Sequence, residues 1–187
     1  MSKGKLFVIS GASGVGKSTV LKEVMAARKD LLFSVSATTR QPRPDEREGV
    51  SYYFLSRERF REMIDNNEFM AYDEHNDTLY GTPRGQLEEK LSRANVILDV
   101  EPNGAFAVKR ERPDAKLIFI MPPSEAELER RLRERNDTPP DQIRMRLDRA
   151  RREMEHRFGY DHVLVNTQVD TCAREILHII AQAADEE

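Results

Sequence analysis

The segment Gly11-Ala12-Ser13-Gly14-Val15-Gly16-Lys17-Ser18 fits the pattern G-x-x-x-x-G-K-[ST] at every position. No other feature constrains the chain as much, because the pattern also dictates its flanks. Before it runs Leu6-Phe7-Val8-Ile9-Ser10, short, β-branched and aromatic, which reads as a buried strand. After it, Val20, Leu21, Val24 and Met25 share one face of a helix from about Lys17 to Arg28. Strand, glycine-rich turn and helix together make a cradle for phosphate. The glycines let backbone N–H groups curl inward, and the helix directs its positive end at the same spot. Gly11 through Thr19 are thus expected to hold a nucleoside triphosphate. Lys17 reaches the β- and γ-phosphates, and the Ser18 hydroxyl is placed to ligate Mg²⁺.

The rest of the chain supports an α/β fold. Val96-Ile97-Leu98-Asp99-Val100 and Leu117-Ile118-Phe119-Ile120-Met121 are nearly continuous apolar runs, as in strands buried on both faces of a parallel sheet. Phe33 to Thr39 alternates like one further strand, Tyr52-Tyr53-Phe54 starts another, and Val163-Leu164-Val165 is the last. Helices are expected after Ser56, around Gly104 to Arg112, from a capping box at Ser124-Glu125-Ala126-Glu127 to about Arg135, through Ile143, Leu147, Ala150 and Met154, and from Thr171 to Ala184. The Pro-rich stretch from Gln41 to Gly49 and the polar break from Asn136 to Asp141 are loops. Alternation of strands and helices predicts a mostly parallel sheet covered by helices. The irregular polar region from about Ser34 to Thr82 reads as an insertion beside that sheet.

Composition narrows the function. The 187 residues carry 30 Lys plus Arg against 33 Asp plus Glu, a formal net charge of -3. A duplex nucleic-acid binder would show a basic excess, so any working cations must be gathered locally, with the acidic excess expected elsewhere. No apolar stretch approaches the ~18 residues of a membrane span. The single cysteine, Cys172, cannot form an intramolecular disulfide, and a reducing cytoplasm is expected. Cys172 falls on the apolar face of the last helix with Ile176 and Ile179. The four histidines show no metal-binding spacing.

Asp99 ends an apolar strand, where ligands collect in open α/β sheets, and can hold the Mg²⁺ through water. Arg40 and Arg43 flank the Pro42 turn, while Arg131, Arg135 and Arg146 bracket the break at Asn136 to Asp141. Arginine forks suit phosphate, and phosphoryl transfer needs positive charge from beyond the loop. Pairs such as Glu127/Arg131 at i,i+4 equally suit a solvated helix face.

At this point the sequence resembles the guanylate kinase family, over essentially the whole chain. The segments that carry the likeness are Ser10 to Ser18, Ser34-Val35-Ser36-Ala37-Thr38-Thr39-Arg40 with Pro42-Arg43, Gly49-Val50-Ser51-Tyr52-Tyr53-Phe54, Tyr80-Gly81-Thr82, Ile97-Leu98-Asp99 and Arg131 to Arg135. The resemblance implies a P-loop NTPase fold with a five-stranded core sheet (residues 1–33 and 83–187), a monophosphate-binding insertion (34–82) and a lid near 136–146. It implies transfer of the ATP γ-phosphoryl group, with Mg²⁺, to GMP or dGMP. Lys17, Arg40, Arg131, Arg135 and Arg146 would serve the transfer, and Asn166 would lie near adenine. Arg40, Arg43, Tyr52 and Tyr80 would bind the acceptor phosphate, and Ser36 and Thr82 the guanine. The partners are ATP and GMP, with neither a nucleic-acid polymer nor a membrane.

Two positions depart from the family pattern. Ala71 stands where a glutamate usually accepts from the guanine N1–H and 2-amino group, and Glu101 stands where an aspartate is usual. Glu101, one methylene longer, is expected to read the base with Ser36 and Thr82, and Asp73 or Glu74 is an acid that could also swing in. The departures leave open a kinase of this fold with another nucleotide or a sugar phosphate as acceptor. Related domains that only bind partners tend to lose the loop lysine, which is present here.

Overall fold

A computed structural model describes residues 4–75, 77–134 and 140–185. In chain order the first elements are β1 (Leu6–Gly11), α1 (Lys17–Ala27), β2 (Leu32–Ser34), β3 (Ala37–Thr38), β4 (Tyr53–Phe54), α2 (Arg57–Asp65), β5 (Phe69–His75) and β6 (Thr78–Pro83). Then follow α3 (Arg84–Leu91), β7 (Val96–Asp99), α4 (Pro102–Glu111), β8 (Lys116–Met121), α5 (Glu125–Glu134), α6 (Pro140–Glu155), a 3-10 turn (His156–Gly159), β9 (His162–Val165) and α7 (Val169–Asp185). A five-stranded sheet has the order β2-β7-β1-β8-β9, with β2 parallel to β7 and β8 parallel to β9. The apolar runs seen in the sequence are its central strands: Leu6 to Ile9, Val96 to Leu98 and Leu117 to Ile120 are all fully buried.

The expected single strand from Phe33 to Thr39 is not one strand. β2 joins the parallel sheet, and β3 joins a separate four-stranded sheet of order β4-β3-β6-β5. The chain changes sheets at Val35 and Ser36, where the Val35 N–H donates to the Gln86 side-chain oxygen (3.2 Å) instead of to a strand. The β5–β6 hairpin and α3 were also not expected. Polar residues dominate one side of each, so neither shows a full apolar period.

The contacts divide the chain into two compact units, Met1–Val8 with Asp30–Ala115 and Ile9–Lys29 with Lys116–Glu187. In the first, the four-stranded sheet lays one face on α2. Ser56 caps that helix by accepting from the Arg59 N–H at 3.1 Å. Phe60 is fully buried and stacks on Phe69 with ring centroids 4.3 Å apart. Ala37 and Leu79 complete this core, with Tyr53, Leu55, Met63 and Ile64 around it. Burying a Phe of this kind contributes about 1.5–3 kcal/mol. The packing is close enough that a Cβ on Gly81 would lie 2.7 Å from the Phe69 ring. A bulge between Phe69 and Ala71 shifts the β5 register by one. It sends Phe69 toward α2 while Ala71, paired with Thr82, goes to the opposite face.

In the second unit α1 packs against α7. Cys172, Ile176 and Ile180 of α7 are fully buried, as the helical spacing required. Burial pushes the Cys172 thiol up to about 11, so it is a packing residue. The Asp161 carboxylate accepts from the Leu117 N–H at 2.7 Å and ties the start of β8 to the approach to β9.

Candidate active site

Two groups of residues stand out, one in each unit. The first is the phosphate loop. Gly14 (φ 84°) and Gly16 (φ 91°) adopt the left-handed conformation that side chains disfavour. A Cβ on Gly14 would also lie 2.7 Å from the Leu132 side chain. Gly16 is the N-cap of α1 and supplies no side chain to it, so no side-chain cap stands at the positive end of the helix, where an anion is favoured. Asn166, 1% exposed, donates from Nδ2 to the Val15 carbonyl at 2.8 Å. Its buried Oδ1 has no partner among the described residues. A buried amide oxygen left this way calls for a donor, which a bound ligand or an ordered water can supply. Arg131 crosses to the same loop: Nη1 donates to the Val15 carbonyl (3.3 Å), Nη2 to the Asn166 carbonyl (3.1 Å) and Nε to Glu127 (2.8 Å). Arg146 is half-buried on α6. Arg135 and residues 136–139, where the sequence leads one to expect a lid, lie outside the described residues.

The second group is the face of the four-stranded sheet turned away from α2. Register places Thr38 opposite Tyr80, Thr82 opposite Ala71 and Tyr80 opposite Asp73, so all five share that face. Ser36, two residues before Thr38, lies at its edge. Ser36 and Thr82 are both buried, and the Ser36 hydroxyl has no partner among the described residues. Arg40 caps one end. Its guanidinium lies 5.0 Å over the Tyr52 ring, and Tyr52 meets Tyr80 edge-on at 6.1 Å. Burial, with the Asp99 charge next in weight, pushes the Tyr52 hydroxyl up to about 12. Asp99 ends β7 and Glu101 is the exposed N-cap of α4. Arg43 is exposed, and its backbone N–H donates to Glu46 at 2.8 Å.

The charges are not segregated as the sequence suggested. Carboxylates sit directly on the site arginines. Glu46 grips Arg40 with two bonds of 2.6 Å, and Glu127 holds Arg131. The Arg40 guanidinium lowers the Glu46 carboxyl from 4.5 to about 2. Arg40 itself is raised, chiefly by its hydrogen bond to Glu46. Glu153 of α6 accepts from the phosphate-loop Ser13 N–H at 2.7 Å and from Arg149 at 2.6 Å. At Ser124 the hydroxyl accepts from the Glu127 N–H (3.1 Å), the first half of a capping box. The second half is not made, because Glu127 turns to Arg130 and Arg131.

The family model described as guanylate kinase matches residues 3–183. The chain belongs to the guanylate kinase family. It is 42% identical over 177 residues to the guanylate kinase of Prochlorococcus marinus subsp. pastoris, covering 94% of this chain and 96% of that one. It is 44% identical over 179 residues to the guanylate kinase of Thermus thermophilus, covering 95% of this chain and 81% of the relative. The crystal structure of guanylate kinase from Anaplasma phagocytophilum superposes with a TM-score of 0.81 at 32% identity, covering 100% of this chain and 89% of that one. Members of this family share the P-loop NTPase fold seen here.

The sequence points to the loop, Asn166, Arg40 and Arg131 and offers Asp73 as an acid that could swing toward the base, but it does not mark Glu46 or Glu153. Each of these two bonds a partner that no local pattern marks. The i,i+4 pair Arg149/Glu153 was a readable signal, but only for a helix surface. The Asn103 side chain of α4 donates to Asp73 at 3.3 Å across 30 residues of chain.

Proposed function

We infer that this protein is an ATP:GMP phosphotransferase, giving ADP and GDP, with dGMP as a second acceptor. What carries the reading is an intact phosphate loop, with its left-handed glycines and Lys17, inside a chain matched by the family over residues 3–183. The loop N–H groups and Lys17 would hold the β- and γ-phosphates of ATP, with the Asn166 amide beside the adenine. Arg40, Arg43, Tyr52 and Tyr80 would hold the GMP phosphate, and Ser36 and Thr82 would face the base. In the reaction an acceptor phosphate oxygen attacks the γ-phosphorus, and the bond to the β-bridging oxygen breaks with its electrons leaving on ADP. The acceptor is already anionic at neutral pH, so the protein supplies position and positive charge rather than a general base. Arg131, Arg135 and Arg146 would supply that charge.

Ser18 and Asp99 offer hard oxygen donors of the type Mg²⁺ takes, and the ion would neutralise the phosphate chain. Residues 34–82 would form the acceptor-binding insertion, 1–33 with 83–187 the core, and 136–146 its lid. Among the described residues no helix is long and apolar enough to cross a membrane; we place the enzyme in the cytoplasm.

The test is ADP release from Mg-ATP with GMP, dGMP, AMP, UMP and CMP as acceptors. GMP and dGMP should lead. Faster turnover of AMP or UMP would favour the second reading, a kinase with a different acceptor, which the small Ala71 side chain motivates.

A further inference from the structure

We infer that Asp73, positioned by Asn103, is the carboxylate that reads the guanine edge of the acceptor, an inference that rests on the GMP reading above. Guanine presents two adjacent donors, N1–H and the 2-amino group. A carboxylate, with two acceptor oxygens, is the side chain that takes both at once. The face that carries Ser36, Thr38, Tyr80 and Thr82 therefore needs an acid on it. Asp73 meets that requirement by register, since it pairs with Tyr80 and lies two residues beyond Ala71 on the same side of β5.

Asp99, whose charge reaches Tyr52, belongs to the end of β7 and not to this sheet, and the other nearby acids are turned elsewhere. Glu74 points to the opposite face by alternation and is paired with Arg57. Glu48 accepts from the Phe54 N–H at 2.9 Å, and Glu46 is bound to Arg40. Glu101 is an exposed N-cap residue of α4 rather than a residue of the sheet face.

Two further observations point to a ligand here. The Ser36 hydroxyl is 7% exposed and has no partner among the described residues, so the face holds an unmet polar group. Asn103 donates to one Asp73 oxygen only, Oδ2, at 3.3 Å. That fixes the carboxylate's orientation while its other oxygen accepts from no described residue. The same face reads phosphate at the Arg40–Tyr52–Tyr80 end, so a base and a phosphate can be held by one sheet surface.

GMP and IMP differ only in the 2-amino group, which makes their ratio the measurement. Steady-state kcat/KM is determined for both acceptors at saturating Mg-ATP, in wild type, Asp73→Ala, Asp73→Asn and Asn103→Ala. The preference for GMP over IMP should shrink by about tenfold or more in both Asp73 variants, one charge-assisted hydrogen bond's worth of discrimination. The loss should sit in the acceptor KM, with kcat held within about threefold, and Asn103→Ala should show a smaller change in the same direction. A merely structural role for Asp73 would lower both acceptors equally. An unchanged GMP-to-IMP ratio in both Asp73 variants overturns the inference, as does a ratio that collapses in Glu101→Ala instead. Asp73→Asn keeps the size of the side chain, so the test survives if Asp73→Ala folds poorly. Wild-type protein that fails to phosphorylate GMP would sink the proposed function itself, a result separate from any ratio among variants.

Discussion

Truncating Glu153 should loosen the phosphate loop measurably even without nucleotide. Its carboxylate makes two bonds, one to the Ser13 N–H (2.7 Å) and one to the Arg149 Nε (2.6 Å). They are not equal. Arg149 is an i,i+4 neighbour with a 31% exposed side chain, so it re-solvates readily and its pair contributes only about 0.5 kcal/mol. The Ser13 bond is different in kind. Glu153 is 13% exposed, and Ser13 sits in a loop whose glycines fix its course, so neither water nor another side chain replaces the carboxylate easily. A charge-assisted bond of this sort contributes about 1.5–3 kcal/mol. Glu153→Ala should therefore lose about 2–3 kcal/mol, or roughly 4–12 °C in Tm for a domain of this size. Glu153→Gln keeps an acceptor oxygen at the same reach and should lose about half as much. Thermal and urea unfolding of both variants, without nucleotide, makes the comparison. If Glu153→Ala unfolds within about 0.5 kcal/mol of wild type, or the glutamine variant falls as far as the alanine, the reasoning fails.

Lys17→Ala should abolish ADP release while leaving Tm within about 2 °C of wild type; near wild-type turnover in that variant would contradict the phosphate-loop assignment. Asn166→Ala should raise the KM for ATP about tenfold and narrow the preference for ATP over GTP as donor, because the amide oxygen we propose to face adenine is lost. The Arg40–Glu46 pair sets an acid limit. Glu46 titrates near 4.5 unfolded and about 2 folded, so the unfolded state binds the extra proton between those values. The pair's contribution is therefore complete above about pH 4.5 and is lost as pH falls through about 2. Glu46→Gln should flatten the stability-versus-pH curve across that window, and an unaltered slope would show that the pair does not govern it.

The parallel sheet was legible because its strands are buried on both faces. Leu117-Ile118-Phe119-Ile120 can be little else, and the glycine pattern after β1 forces a turn that few residues adopt. The loop's chemistry was legible for the same reason: backbone geometry restricts which residues can stand at Gly14 and Gly16. The smaller sheet was not. Its strands have one polar face, β3 and β4 are two residues each, and a bulge in β5 breaks the alternation that would reveal it. Phe69 and Ala71 look like same-face neighbours in the sequence and are not. The sequence also ran Phe33 to Thr39 together, because alternation persists through the point where the chain leaves one sheet for the other.

Pairing of charge explains why the near-neutral composition says so little about the site. An arginine side chain has about 2 kcal/mol of rotamer entropy to lose when it is fixed on a ligand. Glu46 takes up much of that loss for Arg40 during folding, holding the guanidinium over Tyr52 before any phosphate arrives. The same carboxylate also competes for the charge the phosphate needs. Glu46 takes two of the five donors of the guanidinium and the Gln41 carbonyl a third, so a phosphate would compete with these partners for a fork already held in place. Arg131 follows the same rule, with one donor on Glu127 and two on the carbonyls of Val15 and Asn166. Pre-orienting these two arginines thus uses two carboxylates, which cancel their charge in the total. A net charge near zero is the sum of paired cations, and it carries no information about how many of them face a phosphate.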